Sequence, residues 1–358
     1  MTQLLRQRIA RGGPMALAEY MALALGHPKY GYYQQHDPFG QAGDFVTAPE
    51  VSQVFGELLG GWCGTVWETM GAPDPFLLVE LGPGRGTLMR DALRTACRKD
   101  GFQKAARVHL VETSERLRKV QAEALQPFHP VFHAHPGDVP EGPALFIANE
   151  FFDALPIRQF ERTESGWRER LVTFVPEEDA FRFTLAQGKT HDLQIPAPLR
   201  KAPAGSIAEV SLPALALAQD IGGRVSRFGG AALLLDYGAT ETDGRATFQS
   251  VRAHGFHDPL ARPGEADLTA HVDFESLAET ARAAGARATA PIPQGALLER
   301  LGIHARSERL AEGADPADAE AIRAACRRLI DPEEMGTLFR AMAIAHPDLV
   351  ALPGFDDD

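Results

Sequence analysis

The segment Asn149–Pro156 reads NEFFDALP and puts an amide, two acids and two aromatic rings into one short stretch. Glu150 and Asp153 form a carboxylate pair, which can bind a guanidinium by bidentate hydrogen bonds and take up its charge or proton. Phe151 and Phe152 are suited to wall a pocket or to fill a core. The same acids would also serve in the first turn of a helix, where the dipole favours negative charge.

A second group stands earlier in the chain, where ELGPGRG carries Gly82, Gly84 and Gly86 directly after Glu80. A redox-dinucleotide turn reads GxGxxG, with a third glycine for close helix packing and the helix N-terminus on a pyrophosphate. Here Gly86 comes one residue too soon, and an acid just before the turn suits a cationic amino-acid group, as on S-adenosylmethionine, better than a pyrophosphate. The Walker pattern fails because Thr87 follows Gly86 where a lysine is required. Glu112, at the end of RVHLVE, can accept both hydroxyls of a ribose. It indicates a nucleoside without choosing between the two donors. Asp138 in HPGD can accept from an adenine amino group or simply make a turn. Asp236-Tyr237-Gly238, the loop GDFVTAPE at 43–50 and the segment DLTAHVDF with Asp267, His271 and Asp273 are weaker candidates. His271 is a candidate base, since histidine titrates near neutrality unaided. The pairs His133/His135 and His254/His257 have no carboxylate partners at helical spacing, so no metal site is expected.

The elements that must position these residues alternate. FLLVEL (76–81), RVHLVE (107–112), VFHAH (131–135), ALFIANE (144–150) and AALLLDYG (231–238) are apolar runs of strand length, and helical patterns at 87–100 and 114–125 lie between the first of them. Apolar strands alternating with helices imply a parallel sheet covered on both faces. Such a sheet gathers ligands at its carboxyl edge, where the candidate acids fall. Helices are expected at 14–25, at Pro49–Met70 with Thr47 as N-cap, from Ser114, from Ile207 to Ala218 and beyond, at 275–284 and at 297–329. Period-two alternation over 160–187 implies antiparallel strands, read as an insertion. The end of MGTLFRAMAIAH is expected to be a final strand.

Composition narrows the class. The 358 residues carry 44% hydrophobic residues and a net charge of −12, enough for a sizeable core and wrong for a broad nucleic-acid face. An acidic cleft would attract a cationic peptide. The three cysteines are scattered with no CxxC, no apolar run reaches membrane-spanning length, and the N-terminus lacks a signal-peptide pattern.

Several segments together resemble one family. GDFVTAPEVSQVFG, VELGPGRGTLMRDALR, NEFFDALPIRQF, LLLDYG, VRAHGFHDPLARPGEADLTAHVDF and MGTLFRAMAI are similar to the MidA-type group of class I S-adenosylmethionine-dependent methyltransferases, related to a mitochondrial complex I assembly-factor methyltransferase. The resemblance implies an α/β, Rossmann-like, seven-stranded and mostly parallel sheet with helices on both faces. It implies an N-terminal helical extension over 1–70, core segments at 71–159 and 206–358, and an inserted substrate-side β region at 160–205. It places donor contacts on Gly82, Gly84, Gly86 and Glu112, to which the residue reading adds Glu80, Asp138 and Asn149. Glu150 and Asp153, with His271 third, are the expected acceptor-side residues. The implied acceptor is an arginine of a protein such as a respiratory complex I subunit, with a homodimer left open. The expected compartment is the cytoplasm for a bacterial chain and the mitochondrial matrix for a eukaryotic one. A non-catalytic S-adenosylmethionine-binding assembly factor and a small-molecule methyltransferase are the alternatives; an oxidoreductase is disfavoured by the glycine spacing.

Overall fold

The computed structural model describes residues 1–35, 47–238, 243–252 and 255–355. The chain forms two compact units, each assembled from three separate stretches.

The first to be described comprises Val46–Phe151, Leu217–Gly238 and Leu277–Asp358. Its sheet contains β1 (Phe76–Leu81), β2 (Ala106–Val111), β3 (Val131–His133), β4 (Ala144–Asn149), β5 (Gly230–Tyr237), β6 (Arg287–Ala288), β7 (Ile292–Pro293) and β8 (Phe339–Ala345). The order is β6-β8-β5-β4-β1-β2-β3, and β7 adds an eighth strand by pairing with β8. Strands β1 to β5 pair in parallel, whereas β8 runs antiparallel to β5, β6 and β7. The sheet is therefore mixed. Its parallel strands are apolar because both faces are covered: Leu78, Leu110, Leu145, Ile147, Leu233 and Leu235 are all buried. The order reverses between β1 and β4, and a doubly wound sheet opens its ligand crevice outside the strand ends at such a reversal.

Helices α1 (Ala48–Val51), α2 (Gln53–Thr69), α3 (Thr87–Ala96) and α4 (Glu115–Ala124) complete the part of this unit that matters for the site. A continuous helix over Pro49–Met70 is not formed. The chain straightens at Ser52 (φ −155°), and Ser52 rather than Thr47 is the side-chain cap, its hydroxyl accepting from the Val54 N–H at 3.2 Å. Helix α2 packs tightly on α3 because Gly60 has no Cβ; one placed there would lie 2.0 Å from the Ala92 carbonyl oxygen. Ser114 takes the N-cap position of α4, but its hydroxyl caps nothing.

The other unit comprises Met1–Phe45, Phe152–Ala216 and Ala239–Ser276. Strands Arg158–Thr163, Gly166–Val175 and Ala180–Leu185 form an antiparallel sheet that also takes in Met15–Ala16 and Ile207–Val210. Ile207–Val210 is thus a strand and not the start of a helix, which begins at Leu212. Its pairing explains the difference: Gln159 stands opposite Glu209, and the Gln159 amide donates to that carboxylate at 2.6 Å. Helices Thr2–Gly12 and Leu17–Gly26 lay Leu5, Leu17, Tyr20 and Met21 into a core shared with Val172, Phe181 and Leu268. A three-stranded sheet joins Gln249–Arg252 to Gly255–His257 and Asp267–Thr269.

Candidate active site at the carboxyl edge of the parallel sheet

Strand β1 ends at Leu81, opposite Ala148 of its neighbour β4, so the glycine turn and the NEFFD segment leave the sheet side by side. Gly82, Gly84 and Gly86 all take positive φ, 62°, 53° and 81°. That backbone is strained for a residue with a side chain. Gly82 has a second constraint, because a Cβ there would come within 2.7 Å of the Phe151 ring. The donor-type turn is thus packed directly against the acid-bearing segment.

Gly86 is the N-cap of α3 and has no side chain to satisfy the exposed N–H groups of the first turn. A carboxylate from β1 takes that place. Glu80, 2% exposed on β1, meets the Met89 N–H; burial nevertheless pushes its carboxyl up to about 8, the Met89 bond pulling the other way. Its Oε2 is buried and accepts from no described group. Glu50 of α1 accepts from the Thr87 hydroxyl at 2.6 Å.

Glu112 follows β2 and is also buried. Its Oε1 accepts from the Ser114 N–H at 2.7 Å and its Oε2 from the Gln121 amide at 3.3 Å, while burial raises its pKa against those bonds. The same amide donates to the Gly84 carbonyl at 2.7 Å, so turn and acid share one partner. Gln121 was not anticipated from sequence. The signal was a polar residue one helical turn after the buried Leu117, in the apolar stripe of α4. Asp138 is exposed and accepts from the His135 N–H at 3.2 Å, closing its own turn.

On the other side of the reversal, Asn149 ends β4 and its amide donates to Glu150 Oε1 at 3.1 Å. The same oxygen accepts from the Ala48 N–H of α1 at 3.2 Å. Glu150 itself stands at φ 50°, a left-handed backbone that a glutamate rarely adopts. The turn is held from β5: the Glu150 N–H donates to the Leu235 carbonyl at 2.9 Å and the Phe151 N–H to Asp236 Oδ2 at 3.0 Å. Asp236 is 1% exposed, and its other oxygen accepts from the Tyr237 N–H at 2.8 Å.

The boundary between the units falls after Phe151, so Asp153 and His271 belong to the other unit. There the Asp153 carbonyl accepts from the Ala270 N–H at 3.0 Å, which brings the NEFFD and DLTAHVDF segments together. The His271 N–H donates to the Thr247 hydroxyl at 2.8 Å, and that hydroxyl donates to Glu209, which also accepts from the Phe248 N–H at 3.1 Å. Burial lowers the His271 pKa. Tyr33 donates to the buried Asp267 at 2.8 Å.

Of the histidine pairs, His133 meets His109 across β2 and β3, with Nε2 and Nδ1 2.8 Å apart, and not His135. Burial, with His133 adding to it, brings His109 down to about 4. His257 contacts the Ala261 carbonyl at 3.2 Å, and His254 lies outside the described residues, as does Gly43–Val46 of the GDFVTAPE loop. Among the described residues no three His, Cys, Asp or Glu side chains gather to hold a metal ion, and no helix is long and apolar enough to cross a membrane.

A turn whose three glycines are left-handed, tied through one amide to a buried acid that follows the next strand, fits a nucleoside-bearing donor. The comparisons identify it. Residues 58–292 match the family model described as "Putative S-adenosyl-L-methionine-dependent methyltransferase". The mitochondrial protein arginine methyltransferase NDUFAF7 homolog of Drosophila melanogaster is 38% identical, over 98% of this chain and 87% of that protein. The zebrafish (Danio rerio) protein arginine methyltransferase NDUFAF7 is 39% identical over 95% and 85%. A Burkholderia thailandensis protein crystallised with S-adenosyl-homocysteine superposes with a TM-score of 0.83, at 26% identity over 99% of this chain and 92% of that one. The donor is S-adenosylmethionine, and the chain belongs to the family of S-adenosylmethionine-dependent methyltransferases.

Proposed function

We propose that this enzyme methylates a guanidinium nitrogen of an arginine in a protein, and that the acceptor is a subunit of respiratory complex I whose assembly the modification supports. The observation that carries the reading is the left-handed backbone of Glu150. A strained non-glycine residue costs on the order of 1–3 kcal/mol and persists where surrounding structure enforces it, commonly at a functional site. Here the strain turns an acid out of the sheet beside the glycine turn. The names of the Drosophila and zebrafish relatives supply the arginine.

When bound, S-adenosylmethionine supplies an electrophilic methyl group on a sulfonium. In this reading Gly82, Gly84 and Gly86 admit the donor to the backbone, and Glu112 accepts its ribose hydroxyls. Asp138 accepts from the adenine amino group, and Asn149 is a further donor contact. Glu80 acts through the helix N-terminus that it helps to cap. Glu150 orients the guanidinium by N–H···O bonds and draws charge from the attacking nitrogen, and Asp153 keeps the acceptor-side role that the sequence suggests for it. Half-buried His271, its pKa lowered by desolvation, is the candidate to take a proton. Alignment of nitrogen and methyl supplies most of the acceleration, on the order of 7–11 kcal/mol.

Both relatives named above are mitochondrial, which favours the mitochondrial matrix and gives no support to a cytoplasmic setting. The test is transfer of labelled methyl from S-adenosylmethionine to purified complex I subunits, with the site read by mass spectrometry. Methylarginine in one subunit is the expected result. Label confined to a small molecule or to another side chain would overturn the reading.

A further inference from the structure

We propose that Gln121 is a positioning residue of the donor site, its buried amide locking the glycine turn and the Glu112 carboxylate into one geometry. The inference rests on the assignment of Gly84 and Glu112 to the donor made above. Gln121 is fully buried on α4, and its Nε2 lies 2.7 Å from the Gly84 carbonyl and 3.3 Å from Glu112 Oε2. A primary amide has two N–H donors, and here each has its own acceptor. Flipping the amide would set its oxygen against a carbonyl and a carboxylate, so its orientation is determined.

The backbone makes room for this side chain. A Cβ on Gly86 would meet the Gln121 Cα and Cγ at 3.5 Å, so the third glycine of the turn abuts the stem of the amide that holds the second. Folding alone does not account for an amide at this place. Its Oε1 is buried and accepts from no described group, a cost that an apolar side chain of similar size would avoid. The two bonds it makes supply the reason.

Both have consequences for a ligand. With Oε1 fixed by the Ser114 N–H and Oε2 by Gln121, the Glu112 carboxylate cannot rotate, and its remaining lone pairs are presented in a set direction. Pinning the Gly84 carbonyl likewise fixes the Gly84–Arg85 peptide plane, whose N–H points opposite to its C=O. One amide thus sets the two halves of the donor site relative to each other before the donor arrives.

The experiment is calorimetric titration with S-adenosylhomocysteine, alongside thermal unfolding, of the full chain and of Glu112→Gln, Gln121→Leu and Gln121→Glu. Tenfold or weaker binding by Gln121→Leu, in a chain that still unfolds in one cooperative transition, is expected. Parent-like affinity in that variant, with Glu112→Gln impaired, would overturn the positioning role alone; parent-like affinity in Glu112→Gln would overturn the donor assignment beneath it. Gln121→Glu keeps the inference testable if the leucine variant does not fold. The new carboxyl can donate to Glu112 only while the pair shares a proton, with the Arg118 guanidinium, 2.7 Å from the Glu112 carbonyl, as the cation beside them. Affinity already below the parent's at pH 5.5, because one O–H cannot serve both Glu112 and the Gly84 carbonyl, and falling at least tenfold further by pH 8.5, where the parent stays flat, supports the lock. A flat profile at parent affinity sinks it.

Discussion

Two acids flank the site and ask for opposite treatment. Glu150, proposed above as an acceptor-side residue, is tied by one oxygen to the Asn149 amide and the Ala48 N–H. Glu150→Gln keeps the size and removes the charge. It should lower turnover on a protein arginine by about 100-fold, the scale of losing one preorganised electrostatic partner, and leave S-adenosylhomocysteine affinity unchanged. Calorimetry beside single-turnover kinetics checks both halves, and collapse of donor affinity would move Glu150 to the cofactor site. Glu80 is a stability residue in pH terms. Burial holds its carboxyl at about 8 in the folded chain, above the 4.5 of a free glutamate, so the folded chain holds a proton there that the unfolded chain releases. That contribution is complete below about pH 4.5 and is lost as pH rises through 8, a swing on the order of a few kcal/mol. Glu80→Gln should therefore flatten the fall in melting temperature between pH 5 and 8.5. Parallel curves for the two proteins would refute the assignment.

At the scale of elements, the site depends on turns that hold strands and helices in register. Gly82→Ala adds a Cβ at φ 62° and 2.7 Å from Phe151, so it should cost about 1–3 kcal/mol and weaken donor binding at least tenfold. Adding Phe151→Ala removes the obstructing ring and should restore part of the stability, a coupling that a double-mutant cycle measures. No recovery would mean that the strain is in the backbone alone. Ser52→Ala removes the N-terminal side-chain cap of α2 and should cost about 1 kcal/mol by denaturant unfolding. A loss no larger than that of Thr47→Ala would contradict the break at Ser52. That break was invisible in VSQVFG, whose pattern is helical throughout. Likewise IAEV runs into an apolar helical pattern, and pairing with Arg158–Glu161 on the facing strand makes it a strand.

For the whole molecule, a net charge of −12 acts on any cationic acceptor before contact. Association of an arginine-rich peptide should therefore slow as salt rises, so kcat/KM should fall several-fold between 20 and about 200 mM as the Debye length shortens. A peptide with neutral flanks should show little dependence. Equal salt slopes for the two peptides would exclude long-range steering. Each unit is assembled from three stretches of the chain, and the sequence carries no long low-complexity segment that would mark such a division.

The sequence by itself determined the parallel strands, the glycine turn and the family, because these rest on local facts: apolar runs of strand length, a missing Cβ, and segments that resemble a family without being folded. FLLVEL is observed as β1 over the expected residues, and the other parallel strands end within two residues of their expected limits. Tertiary structure decided what the acids do. Glutamate has no preference for the left-handed backbone of Glu150, and a buried amide such as Gln121 looks like an error in an apolar stripe until its partners are known. Both are set by groups distant in sequence, Leu235 and Asp236 for the first, Gly84 and Glu112 for the second. Hydrogen-bond partners across a fold leave no period in the chain.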